Sequence, residues 1–270
     1  MKDIFVMKLE AKKTSDDHLL SRAVERFLVW EAELERLGEL SEARKLSLEV
    51  VDPTIANATQ CWANIWPKPL YANTKVGIGE KMIARLEPLM KESWRTWGVE
   101  NGQLVVTHKG GSNSTDNFEI SGEFKEAVKE CRIAPHRLYA IQGAANFMRH
   151  LVADGGEDKP LKTFSELPLE IQILWLQSLG GRGWGHISAL HVLTDFGLAV
   201  KPDIHLARTI HALDFLPYVI DRASPQPLEA MAIVQGADAL GRALYGGVYG
   251  SRERRYLDKV LMDVSRCGLL

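Results

Sequence analysis

The sequence has few cysteines and no long apolar run, and each absence excludes a class of protein. Cys61, Cys131 and Cys267 lie far apart with no CxxC pair. They cannot build a zinc ribbon or a four-cysteine iron–sulfur cluster, and we expect a reducing, cytoplasmic location. Charged residues interrupt the apolar residues of 1–8, and no later run reaches the length of about 18 residues that a membrane helix needs. We therefore expect neither a signal peptide nor a membrane span.

An excess of positive charge is also absent. The 33 Lys and Arg residues face 35 Asp and Glu residues, so the formal net charge is -2. A chain without a global positive field has to bind nucleic acid through a local surface. With 270 residues, 46% of them hydrophobic, the chain can bury one large core or two smaller ones.

Helical spacing of apolar residues dominates the chain. It recurs over 16–51, 79–97, 122–130 and 135–152, and over nearly all of the chain after residue 160. Residues 52–75 form an aromatic-rich connection. The sequence predicts a mostly α fold with at most a small β element at 103–108, followed by a polar loop at 109–117. We divide the chain into an N-terminal helical region, 1–120, and a core, 121–270.

A glycine-rich hairpin stands between two predicted helices. Ser165 is a good N-cap for a helix over 165–179, and a second helix is predicted from His186 to about Phe196. Between them lies the hairpin, 180–185, with the sequence Gly-Gly-Arg-Gly-Trp-Gly. Glycines permit positive φ and leave backbone amides uncovered, so such a turn can hold a DNA phosphate, in some cases through a bound monovalent cation.

The loop 197–203 then leads to Asp203, which precedes another predicted helix beginning Ile204-His205. An aspartate here is expected at the N-cap, and capping alone is a sufficient structural role for it. Its position after the hairpin gives it a second interpretation.

The hairpin together with Lys201-Pro202-Asp203-Ile204-His205 resembles the helix-hairpin-helix (HhH-GPD) DNA glycosylase superfamily, and most of all its 8-oxoguanine DNA glycosylase branch. Asp203 is the eighteenth residue after Gly185, which matches the family's spacing between its hairpin lysine and its catalytic aspartate. The resemblance covers about residues 165–215. It implies two packed helical subdomains around a DNA cleft, base flipping, and a catalytic role for Asp203.

One departure from the family bears on mechanism. Bifunctional members carry a nucleophilic lysine at the position of Gly185, and glycine has no nucleophile. The resemblance then implies a monofunctional enzyme in which Asp203 activates a water and stabilises the oxocarbenium-like sugar, leaving an abasic site without strand cleavage. Lys201 and His186 are possible auxiliary groups. No catalytic metal and no other cofactor is expected.

The resemblance also nominates residues that bind the DNA and the base. The expected partner is double-stranded DNA with a damaged or modified base, bound by a monomer. The DNA-contact candidates are Gly181, Arg182, Gly183, Gly185, His205 and Arg208. The candidates for the base pocket or for filling the gap in the duplex are Gln142, Asn146, Phe147, Trp62 and Trp66. Core packing is the alternative for these aromatic side chains.

Two other functions stay open. Helix-hairpin-helix units also occur in noncatalytic DNA-binding proteins, and the hairpin of a structural or interaction protein is merely a turn. Within the glycosylase hypothesis, the base can be an oxidised purine, uracil, an alkylated base or a hypermodified base of phage DNA. The last of these would make base excision a defence rather than DNA repair.

Overall fold

The computed structural model describes residues 2–71, 74–95, 97, 107–108, 118–119, 122–181, 183–222 and 224–270. The chain is mostly helical, as the sequence predicts. The helices are α1 (Lys2–Leu37), α2 (Leu40–Glu49), α3 (Ala58–Ile65), α4 (Lys68–Tyr71), α5 (Val76–Met90), α6 (Gly122–Glu130), α7 (Pro135–Gly155), α8 (Lys162–Ser165), α9 (Leu169–Gly180), α10 (His186–Asp195), α11 (Ile204–Ala212), α12 (Pro227–Tyr245) and α13 (Ser251–Arg266). Within these ranges, no helix is both long enough and apolar enough to cross a membrane.

The β structure is confined to one small pair. Thr107–His108 (β1) pairs antiparallel with Phe118–Glu119 (β2), and no other strand occurs in the described part of the chain. The predicted β element at 103–108 is therefore a strand at 107–108. Residues 103–106 and the polar loop 109–117 lie outside the described residues.

Most predicted helices are present, but several boundaries differ. Helix α1 begins at Lys2 rather than at residue 16, α5 ends at Met90 rather than at residue 97, and α3 and α4 lie within the predicted connection 52–75. The start of α9 is Leu169, whereas the sequence predicts Ser165 as the N-cap. Ser165 instead ends α8, where its hydroxyl donates to the carbonyl of Lys162. The cause is Pro168, because a proline disfavours helical backbone at the preceding Leu167 and so separates the two helices.

Contacts divide the chain into two compact units. The first comprises Met1–Val50 with Gly197–Leu270, and the second comprises Val51–Phe196. The predicted boundary at residue 120 falls inside the second unit. The reason is that the first helices of the chain pack on its last ones, α1 on α12 and α13, and α2 on α13. The first unit carries Asp203, and the second carries the glycine hairpin.

Candidate functional site

Asp203 is the N-cap of α11, as predicted. Its backbone is extended (φ -109°, ψ -179°), and its Oδ1 accepts the amides of His205 and Leu206, both at 3.0 Å. These two bonds satisfy amides that the first turn of a helix leaves without a partner. Its other oxygen, Oδ2, accepts no hydrogen bond from any residue that the structure describes. Asp203 is half-buried, so one oxygen is held and the other is available to a ligand.

The loop before Asp203 is attached to α13 at two points. Arg254 Nη1 donates to the carbonyl of Gly197 at 2.6 Å, and the amide of Lys201 donates to Asp258 Oδ1 at 2.6 Å. Gly197 adopts φ +61°, and a Cβ there would lie 2.5 Å from the carbonyl oxygen of Ser251. The loop therefore requires glycine at its start, and its course is set by side chains far away in the sequence.

Asp258 is a buried carboxylate beside the loop. Only 6% of the residue is exposed, and its Oδ2 lies 2.8 Å from Arg255 Nη1. Burial raises the pKa of Asp258 to about 6, and the nearby Asp203 carboxylate acts in the same direction. The charge of Arg255 and the hydrogen bond from Lys201 oppose this shift of the pKa. Asp203 and Asp258 thus act on each other electrostatically.

This pKa predicts how stability changes with pH. A carboxyl group with a raised pKa in the folded protein stabilises the fold fully below its unfolded pKa, and that contribution is lost as pH rises through the folded value. Relative to Asp258→Asn, we expect the free energy of unfolding of the wild type to fall by about 2 kcal/mol between about pH 4.5 and about pH 7.5. Urea unfolding at both pH values measures this difference.

A matched control lies on the same helix. Asp263 is also buried and pairs with Lys259 at 2.7 Å. Asp263→Asn removes a second buried carboxylate from α13 and so measures the general effect of losing a buried negative charge from this helix. Parallel stability curves for Asp258→Asn and wild type would show that Asp258 does not titrate in this range.

Of the other predicted residues near Asp203, His205 and Arg208 have side-chain partners. His205 Nδ1 lies 3.2 Å from Ser265 Oγ, and Arg208 forms an ion pair with exposed Asp221 at 2.7 Å. Arg208 must release Asp221 before it can bind a phosphate. Lys201 contributes its backbone amide, and among the described residues its ammonium group forms no ion pair.

In the second unit, the glycine hairpin joins α9 to α10. Gly181 and Gly183 adopt φ +63° and +97°, a region that favours glycine, whereas Gly185 has φ -76° and is the N-cap of α10. All three glycines are exposed. Among the described residues, no group accepts a hydrogen bond from the amides of Gly183 and Gly185. The hairpin glycines are thus exposed and two of its amides lack a protein acceptor among the described residues, whereas DNA contact by Gly181, Gly183 and Gly185 stays a prediction. Arg182 lies outside the described residues.

Helix α7 holds the hairpin in place. The Trp184 side chain is buried, and its Nε1 donates to the carbonyl of Ala140 at 2.7 Å. One turn further along α7, a Cβ at Gly143 would overlap the carbonyl oxygen of Gly180. Asn146 Nδ2 donates to the carbonyl of Leu179 at 2.9 Å, at the end of α9. The small residues of α7 thus permit a close approach that fixes the start of the hairpin.

His186 is the first residue of α10. Its Nε2 atom is buried without a hydrogen-bond partner, and burial lowers the pKa of His186. Burial thus favours the neutral imidazole, and the role of His186 as an auxiliary group stays a prediction.

Most base-pocket candidates have structural roles. Trp62, Trp66 and Phe147 are core side chains; Trp62 Nε1 donates to the carbonyl of Met90 at 2.7 Å, and Phe147 packs edge-on against Phe164. The alternative of core packing, left open by the sequence, is the one observed. Asn146 caps α9, and Gln142 is half-buried on α7. For Gln142, a role in base binding stays a prediction.

Within the ranges that the structure covers, no group of three or more His, Cys, Asp or Glu residues could hold a metal ion. No family model matches the chain, and neither a curated protein nor a solved structure is found to be similar to it.

Proposed function

We propose that this protein is a DNA glycosylase of the helix-hairpin-helix type that hydrolyses the N-glycosidic bond of a damaged or modified base. The observation that carries the proposal is Asp203, which has one oxygen held by helix amides and the other available, eighteen residues after an exposed glycine hairpin. An oxidised purine or a hypermodified phage base is the proposed substrate, in double-stranded DNA bound by a monomer.

Asp203 supplies the chemistry in this proposal. The amides of His205 and Leu206 orient the carboxylate, so that Oδ2 can accept a proton from a water and stabilise the positive charge that develops on the sugar. The water oxygen bonds to C1′ while the bond from C1′ to the base breaks. The bonding electrons leave with the base, which takes up a proton, and an abasic site remains.

The hairpin supplies attachment to the DNA backbone. The amides of Gly183 and Gly185 and the first turn of α10 are donors with a partial positive charge, which suits a phosphate or a phosphate bridged by a monovalent cation. Backbone donors need no basic side chains, which agrees with a formal net charge of -2.

The proposal is tested by base release. Duplexes that each carry 8-oxoguanine, uracil or an alkylated base, together with glucosylated phage DNA, are incubated with the protein, and released bases are identified by mass spectrometry. We expect one free base, a strand that breaks only after alkali, and no covalent complex with borohydride, because Gly185 lacks an amine. Release from none of these DNAs would contradict the proposal.

Gly185→Lys is the matched variant for the borohydride test. A Cβ at Gly185 meets nothing within 4 Å, and its φ of -76° suits any side chain. We expect Gly185→Lys to fold normally and to form a borohydride-trapped complex where the wild type forms none. A trapped wild-type complex would show that another amine, such as Lys201, acts as nucleophile.

A noncatalytic DNA-binding protein is the second candidate. The favouring observation is that the N-cap role accounts for the geometry of Asp203 without any chemistry. Backbone binding by the hairpin would then be the whole function.

A further inference from the structure

A chain of hydrogen bonds runs from α13 to the candidate catalytic carboxylate. Asp258 accepts the amide of Lys201 at 2.6 Å, the carbonyl of Lys201 accepts the amide of Asp203 at 2.9 Å, and Asp203 accepts the first amides of α11. Arg254 holds the other end of the same loop through the carbonyl of Gly197. The backbone amide and the backbone carbonyl of Lys201 are therefore both held by hydrogen bonds.

The burial of the Asp258 carboxylate costs more free energy than a purely structural role would require. A carboxylate that is 6% exposed loses most of its hydration, and a single ion pair with Arg255 recovers only part of that loss. Its other oxygen, Oδ1, accepts a hydrogen bond from one backbone amide of the loop before Asp203. A hydrogen bond from an amide to a charged acceptor is stronger than one to a neutral acceptor, so this arrangement restrains the loop more than a neutral side chain would.

The charged groups around Asp258 are few. Arg255 comes from its own helix, and Lys201 and Asp203 come from the loop. The other elements packed on α13 contribute groups that have partners of their own: Glu31 with Tyr256, Glu35 with Arg44, Asp238 with Arg254, and His205 with Ser265.

We propose that Asp258 is a positioning residue for Asp203. Together with Arg254, Asp258 clamps the loop 197–203 to α13 and so fixes the direction that Asp203 Oδ2 faces. The catalytic part of this inference rests on the proposed function. The clamp itself is a property of the first unit and can be measured without any substrate.

Hydrogen–deuterium exchange of the Lys201 amide tests the clamp directly. In the wild type we expect strong protection of this amide. Asp258→Ala removes the acceptor and should speed its exchange at least about tenfold, whereas Asp258→Asn keeps an acceptor oxygen and should stay within about threefold of the wild type. Asp263→Ala removes a buried carboxylate that is paired with Lys259 on the same helix, and it should leave exchange at Lys201 unchanged.

Two outcomes overturn the clamp. One is an unprotected Lys201 amide in the wild type, a result that needs no variant and so does not depend on whether Asp258→Ala folds. The other is equal exchange in Asp258→Ala and Asp263→Ala.

Kinetics then test the catalytic part. On the base that the wild type releases, we expect Asp258→Ala to lower the single-turnover rate at least about tenfold and Asp258→Asn to restore most of it. Affinity for a duplex with a tetrahydrofuran abasic-site analogue should be unchanged in both variants. If the wild type releases no base, the proposed function is wrong, but hydrogen–deuterium exchange of the Lys201 amide still tests whether the clamp exists. If Asp258→Ala releases base at the wild-type rate, the positioning role fails while the function stands.

Discussion

Replacing Asp203 with asparagine is expected to lower the rate of base release by about a thousandfold and to leave the fold intact. Asparagine accepts the amides of His205 and Leu206 as well as aspartate does, so α11 keeps its cap. In the proposed mechanism, the variant loses the negative charge that would stabilise the sugar cation and the oxygen that would take a proton from water. Single-turnover release of the base, read by mass spectrometry, measures the loss.

Two further measurements separate the roles of this residue. Asp203→Ala removes both charge and cap, so it should match the rate loss of the asparagine variant and also lower the free energy of unfolding by about 1 kcal/mol. DNA affinity should be retained in both variants. Unchanged base release in Asp203→Asn would leave capping as the only role of Asp203 and would contradict the proposed mechanism, because the chemistry would then depend on another residue.

Replacing Gly143 with alanine is expected to destabilise the second unit by about 3 kcal/mol. The new Cβ would overlap the carbonyl oxygen of Gly180, which belongs to the backbone and cannot turn aside. Helices α7 and α9 would have to separate, and the contacts of Trp184 and Asn146 with the two helices would weaken with them. Thermal and urea unfolding of the full chain measure the effect.

Gly77 provides the matched control. It lies in α5 of the same unit, and a Cβ there meets nothing within 4 Å. Gly77→Ala should stabilise the protein by about 0.5 kcal/mol, because alanine loses less conformational freedom in a helix than glycine does. Equal effects at the two positions would mean that α7 and α9 do not approach as closely as described.

Local signals in the sequence predict the candidate site well where its geometry is local. The N-cap role of Asp203 follows from an aspartate placed directly before an amphipathic helix, and the amides it binds lie two and three residues away. The positive φ values of Gly181 and Gly183 likewise belong to a turn that its own residues define. Such features need no knowledge of the rest of the fold.

Features that depend on distant residues were not predicted. Asp258 lies 57 residues after Lys201, and no local pattern joins the two. One signal could have pointed to it: Asp258 and Asp263 flank, one on each side, the apolar stripe of α13 that carries Leu257 and Leu261, and an acidic side chain at the edge of an apolar face needs a partner. The positions of the aromatic side chains could not be predicted for the same reason. The sequence does not tell whether Trp62 faces a ligand or, as observed, the carbonyl of Met90.

The anchoring of the hairpin by Trp184 has a consequence for how fast and how tightly this turn can bind. Glycines in an unattached turn sample many conformations, and a ligand would have to select one of them at an entropic cost. Here the Trp184 indole, buried against Ala140, anchors the end of the turn to α7 in the folded protein. If the hairpin binds DNA as proposed, its exposed amides are already arranged when a phosphate arrives, and association should require no slow rearrangement of this segment.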